Sequence, residues 1–271
     1  MELRFVPQEE IDRQLYDSCV HFATNGSIYG YHWFLNATAK DWDVLVEGDE
    51  WVSVMPLPRS KNWWGRQRLE QPGLIPELAV YSVRPLSPTR IQAFWDAIPA
   101  EFRGGELTVE PASVPAAPGR FKVHRAAGEA LFLDQPYETL VAGFGPDYFN
   151  RLQLAEAAGL RPASSFKPER LADLWLETQG RSATNEWQYH AMQRIMYQVL
   201  HRSWGGTQAV QDATGELLAM VFIAYSHGRI FPLFRVESVQ GRSVGAMTYL
   251  WDQLLRTHAG KNLKIKREDL W

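Results

Sequence analysis

One cysteine, Cys19, stands in 271 residues. No disulfide can close within the chain, which excludes a disulfide-stapled scaffold and fits a reducing compartment. Cys19 falls in an apolar pattern of helical period, where a buried, inert thiol is expected. Long hydrophobic runs are missing too. None approaches the ~20 apolar residues of a membrane span, and the first residues, Met1 to Phe5, lack the basic region and apolar stretch of a signal peptide. A cytoplasmic protein with no membrane partner is the expectation. Charge of one sign is not in excess: 28 basic against 31 acidic residues leave a formal net charge of −3. That excludes a global basic field for nucleic acid, though not a local basic cleft. The seven histidines (His21, His32, His124, His190, His201, His227 and His258) form no His-x-x-x-His pair, so no metal is expected. There is no Gly-x-Ser-x-Gly elbow for a serine hydrolase and no Walker loop.

Aromatic residues, by contrast, are abundant: 13% of the chain, with 11 tryptophans. They imply either heavy aromatic packing or rings that line a groove. Their densest basic neighbourhood spans residues 59–68, where Arg59, Lys61, Arg66 and Arg68 surround Trp63 and Trp64. Four cations and two indoles suit a phosphate-bearing or single-stranded ligand such as tRNA. The plainer expectation is a solvated loop whose tryptophans cap the core.

Along the chain, Leu3 to Val6 reads as a strand, and Pro7 with Glu9 and Glu10 opens a helix through Ile11, Leu15 and Cys19. A short aromatic helix is predicted over residues 27–36. A hairpin follows, with arms at residues 41–46 and 51–57 and a turn at residues 47–50. Residues 74–83 read as strand, residues 91–98 as helix after Pro88, and residues 106–109 as strand. Residues 122–125 and 130–133 read as a strand pair. Helices are then predicted over residues 146–158, 171–178 and 187–201. Thr207 to Asp212 and Leu217 to Tyr225 form a second hairpin. After a turn at Ser226, His227 and Gly228 come an apolar strand, Ile230 to Phe234, and a small-residue loop from Gln240 to Ala246. An amphipathic helix, Met247 to His258, and a last strand, Asn262 to Lys266, close the pattern. A loop before a helix is a seat for an anion, because the first N–H groups of the helix lack internal partners and carry partial positive charge.

Two halves share one grammar: helices, then a hairpin with an acid- and glycine-containing turn, then further strand and helix. That grammar resembles the GNAT acyltransferase fold, and its doubled form is similar to the Fem-type aminoacyl transferases and their bacterial relatives. Three segments carry the resemblance. One runs from Asp134, Gln135, Pro136 and Tyr137 to Gly159 and Leu160; another is the pair of hairpins; the last is Gly245, Ala246 and Met247 opening a helix after a strand. Where the family has a basic helix, Phe149 to Glu156 keeps only Arg151. The family's Arg/Gln-x-x-Gly-x-Gly/Ala loop is matched by Arg242 to Gly245 but ends on Met247. The closing strands of a full GNAT half are either missing or supplied from elsewhere.

The resemblance implies an α+β protein of two fused GNAT-like halves, residues 1–125 and 126–271, each a mixed, mostly antiparallel sheet flanked by helices. It implies an N-acyltransferase that moves an acyl or aminoacyl group from a CoA or tRNA carrier to a small-molecule or peptide amine. Acetyl-CoA or another acyl-CoA would lie beside the backbone of Val221, Phe222 and Ile223, with its phosphates near Arg242, Ser243, Val244, Gly245 and Ala246. Glu237 and Tyr225 are then the candidate catalytic groups, because the attacking amine must lose a proton. The alternative is a catalytically inactive GNAT-like protein that binds a small molecule or a protein. Arg235 is the candidate for holding a carboxylate or phosphate. His227 is expected in a solvated turn.

Overall fold

A computed structural model describes residues 2–61, 63–163 and 166–270. The chain divides into two units, residues 1–127 and 128–271, two residues beyond the boundary read from sequence. In the first unit, Asp12 rather than Pro7 starts the first long helix. Its carboxylate accepts from the N–H groups of Gln14 (2.9 Å) and Leu15 (3.0 Å), two donors that a helix start leaves unsatisfied. Gln8–Glu10 is a single 3₁₀ turn. The elements are β1 (Leu3–Val6), α1 (Arg13–Phe22), α2 (His32–Thr38), β2 (Asp41–Glu47), β3 (Ser53–Lys61), β4 (Gln67–Glu70), β5 (Tyr81–Ser82), α3 (Pro88–Asp96), β6 (Gly105–Val109) and β7 (Phe121–Arg125). Only Tyr81–Ser82 of the strand expected over residues 74–83 joins a ladder. The sheet runs β1-β2-β3-β4-β6-β7, with β5 also on β3. Its first four strands are antiparallel, and β4, β6 and β7 are parallel. Asp43, nearly fully buried, accepts from Arg59 Nε at 2.6 Å, so this buried charge is compensated as burial requires.

The second unit holds β8 (Ala130–Phe132), α4 (Tyr137–Val141), α5 (Pro146–Ala157), β9 (Arg161–Pro162), α6 (Arg170–Gln179), α7 (Ala183–His201), β10 (Gly205–Gln211), β11 (Leu217–Ser226), β12 (Arg229–Glu237), α8 (Val239–Val244), α9 (Ala246–His258) and β13 (Lys264–Lys266). The order is β8-β13-β12-β11-β10-β9. Among the described residues of this unit, only β12 and β13 run parallel. The segments at 122–125 and 130–133, expected to pair, do not: β7 pairs with β6, and β8 with β13. The place beyond β13, where closing strands were expected, is filled by β8 from the start of the unit.

Strand β11 is buried without a break from Leu218 to Ala224, because helices cover both of its faces. Val221 and Ile223 join Leu152, Leu250, Trp251 and Leu254 in one core. Phe222 lies over Phe234, ring centroids 6.3 Å apart, on the side that receives α6. A strand wetted on one face alternates apolar and polar residues; one covered on both reads as a continuous apolar run. Asp252, 1% exposed, ties α4, α5 and α9 together. It accepts from the hydroxyls of Tyr137 and Tyr148 and from Arg256 Nε at 2.7 Å.

Candidate functional site at the end of β12

Every sheet has interior strands whose backbone groups are spent on neighbours and edges where they are not. Val221, Phe222 and Ile223 lie opposite Gln208, Thr207 and Gly206 on one side and Arg235, Phe234 and Pro232 on the other. Their side chains are buried. Their side chains build the core, but the ladder with β12 is broken by a register shift between Phe222 and Ile223, where the facing Pro232 has no N–H to donate, so the regular pairing lapses at the residues expected to lie beside a carrier. The strand that parts from its neighbour is β12. Its ladder with β13 is a single pair, Arg229 with Lys264, although all three residues of β13 pair with β8 on the other side. Beyond that pair, among the described residues, no strand lies against this edge of β12 as far as Glu237.

The segment from Gln240 to Ala246 is not a loop. Ser238 Oγ accepts from Gly241 N–H at 2.9 Å and starts α8. Gly245, at φ 72°, ends α8 and opens α9. Arg242, Ser243 and Val244 are thus helical residues. Ser243 Oγ donates to the Gln240 carbonyl at 2.7 Å, and Ala246 is buried. The glycines serve close packing: a Cβ on Gly241 would lie 2.4 Å from the Leu218 carbonyl oxygen, and one on Gly245 2.5 Å from that of Arg151. At the start of α9, where an anion seat was expected, the Met247 N–H donates to Glu237 Oε1 at 2.8 Å.

That contact roots Glu237 at one wall of a cleft of about 370 Å³, lined also by Trp175, Thr178, Gln179, Arg235, Val236, Arg242 and Met247. Burial pushes the Glu237 carboxyl above the usual carboxylate range; the Met247 N–H and the charges of Arg242 and Arg151 oppose this only in part. Arg235 reaches from the cleft to the carbonyl of Asp269, 3.1 Å away. The arrangement joins a carboxylate that takes up protons readily, two guanidinium groups suited to an anion, and an indole with a thioether for apolar contact. Sequence reasoning missed the α6 residues. Their signal was the spacing: 175, 178 and 179 stand at i, i+3 and i+4, one helical face.

Tyr225 does not share this site. It stands six positions along β11 from Ala219, the residue opposite Glu237, or about 20 Å at ~3.3 Å per residue. Its hydroxyl meets His258 Nε2 at 2.8 Å, and His258 Nδ1 meets the Leu254 carbonyl at 2.7 Å. A carbonyl only accepts, so Nδ1 carries the proton and Nε2 receives the tyrosine hydrogen. Burial lowers the His258 pKa and raises that of Tyr225. His227, at φ 51°, occupies the β11–β12 turn, its Nδ1 2.7 Å from Ser226 Oγ.

Elsewhere in this unit a larger cleft of about 670 Å³ lies between α6 and α7. Its charges are matched internally: Arg170 with Glu177 at 2.7 Å, Tyr189 with Asp173 at 2.9 Å and Arg181 with Glu186 at 3.6 Å. Among the described residues no three His, Cys, Asp or Glu side chains converge as for a metal. No helix among them is long and apolar enough to cross a membrane. In the first unit Trp63 and Trp64 do not cap the core; they are 82% and 66% exposed. Arg59, from the same stretch, is taken by Asp43.

No protein-family model matches the sequence, and no curated protein does. Solved structures match in fold alone. FemX superposes with a TM-score of 0.60 at 10% identity, covering 98% of this chain and 88% of that one. L-PGS from Bacillus licheniformis gives a TM-score of 0.48 at 13% identity, over 94% of this chain and 75% of that one. A conserved protein of unknown function from Enterococcus faecalis V583, described as a probable N-acyltransferase, gives 0.33 at 10% identity, over 98% and 64%. The chain has the doubled, GNAT-like fold of Fem type, two mixed sheets flanked by helices.

Proposed function

We propose that the protein transfers an acyl or aminoacyl group from a CoA or tRNA carrier to the amine of a small molecule or peptide, at the cleft where β12 ends. The observation that carries this reading is the half-buried carboxylate of Glu237, its pKa raised, at the end of the strand that parts from its parallel neighbour. The neutral amine attacks the carbonyl carbon of the ester or thioester. A C–N bond forms, the C–O or C–S bond breaks, the amine's proton passes to Glu237, and the departing oxygen or sulfur takes up a proton. Arg235 and Arg242 hold the anionic part of the carrier by side-chain charge. The Met247 N–H at the start of α9 is not what holds it, because that donor is taken by Glu237. No metal takes part in this scheme.

The same occupied Met247 N–H favours a second reading, a catalytically inactive module that binds a small molecule or a protein partner. Incubation with acyl-CoA or aminoacyl-tRNA and a panel of amines, with amide products followed by mass spectrometry, separates the two. Turnover that E237Q suppresses supports transfer. A ligand present at 100 times its Kd raises stability by about 2.7 kcal/mol. A melting shift without product therefore indicates the binding module, and neither shift nor product with either carrier removes the transferase reading.

A further inference from the structure

Independently of that cleft, we propose that the β3–β4 hairpin of the first unit is a docking tip for the surface of an anionic lipid bilayer. Soluble folds bury large aromatic residues, so two adjacent exposed indoles need a reason. Trp63 and Trp64 are 82% and 66% exposed, their ring centroids 3.7 Å apart. They sit in the turn between β3 and β4, flanked by Lys61, Arg66 and Arg68, all exposed. Arg103 is exposed beside the root of the turn, its N–H donating to the Gln67 carbonyl at 3.0 Å. Residues 51–69 contain no acidic residue, within a chain of net charge −3. The register sets Ser60 opposite Arg68 and Lys61 opposite Gln67. Successive residues of a strand point to opposite faces, so Lys61 and Arg68 flank the indoles from the two sides of the ribbon.

Tryptophan prefers the boundary between lipid tails and headgroups, and lysine and arginine prefer anionic headgroups. A hairpin with exposed rings in its turn and exposed cations beside them matches that layering. A single-stranded nucleic acid would instead need rings spaced to take successive bases along a basic groove. Here the two rings lie against each other. The contact is a surface seat, distinct from a membrane span.

The test is flotation of the full-length protein with vesicles of phosphatidylcholine alone and of phosphatidylcholine with phosphatidylglycerol. Binding is expected to the anionic vesicles only, and to weaken as salt rises from about 0.05 to about 0.5 M and the Debye length shrinks. W63A/W64A should reduce partitioning at least about tenfold and abolish quenching by brominated lipid. K61A/R66A/R68A should reduce it about fivefold per cation. Unchanged circular dichroism would establish that both variants fold. Absence of flotation at low salt overturns the proposal, as does equal flotation of W63A/W64A. Retention on polyuridylate that depends on the two tryptophans, without flotation, also overturns it and assigns the tip to nucleic acid.

Discussion

Glu237 performs two tasks with one carboxylate: it caps α9 through Met247 N–H and lines the cleft beside Arg242. The two can be separated by substitution. E237Q keeps a carbonyl oxygen to accept from Met247 but has no base, so amide formation should fall about 10²- to 10⁴-fold with the melting temperature nearly unchanged. E237A should lose the cap as well, at about 1 kcal/mol in urea unfolding. In the wild type the rate should rise with pH through a midpoint above the ordinary carboxylate value of 4.5, since burial raises this group. Between the unfolded and folded pKa values the folded state binds more protons, so this group's contribution to stability falls as pH rises through that window. Tyr225 offers the contrast. Y225F removes a hydroxyl donated to His258, should cost about 1 kcal/mol of stability, and should leave the rate unaltered because the cleft lies at the other end of the strand. His258, with its pKa lowered below 6.5, acts with the opposite sign. The unfolded chain binds more protons as pH falls through 6.5, so stability is lost on acidification until the folded pKa is passed.

Helices α8 and α9 meet at Gly245, and that junction shows how an element's role is set by what it abuts. The glycine adopts φ 72° and lies so close to the Arg151 carbonyl that a Cβ would sit 2.5 Å from its oxygen. G245A should therefore destabilise the protein by about 2–4 kcal/mol, from left-handed backbone cost plus overpacking, read as a lowered urea midpoint. The sequence displayed the glycine and the small residues around it, and a loop was the natural expectation. Six residues of helix fit there instead, because Ser238 caps the first turn and Gly241 lets α8 approach the Leu218 carbonyl. The apolar run of β11 was legible as a strand. So was its place between β10 and β12, through the hairpin and the turn that flank it; the register shift between Phe222 and Ile223 was not, because it depends on which residues of β12 face them.

Each unit of the molecule has its own sheet, and every described ladder pairs strands of the same unit. Chains covering residues 1–127 and 128–271, produced separately, should each give a helix-and-sheet circular dichroism spectrum and a cooperative urea transition; a random-coil spectrum from either would refute that. The repeated order of helices and hairpins was legible in the sequence, because hydrophobic period and turn chemistry are written in neighbouring residues; the α+β fold of two fused halves was what the family resemblance implied. The local nature of Glu237 as a carboxylate near a strand end was legible too. What only the tertiary structure decided is which groups come together: Trp175 and Glu237 in the lining of one cleft, Tyr225 with His258, Arg59 with Asp43, and β8 with β13. Such partners are brought together by packing and pairing across long stretches of chain, and no local spacing encodes their distance or what remains exposed between them.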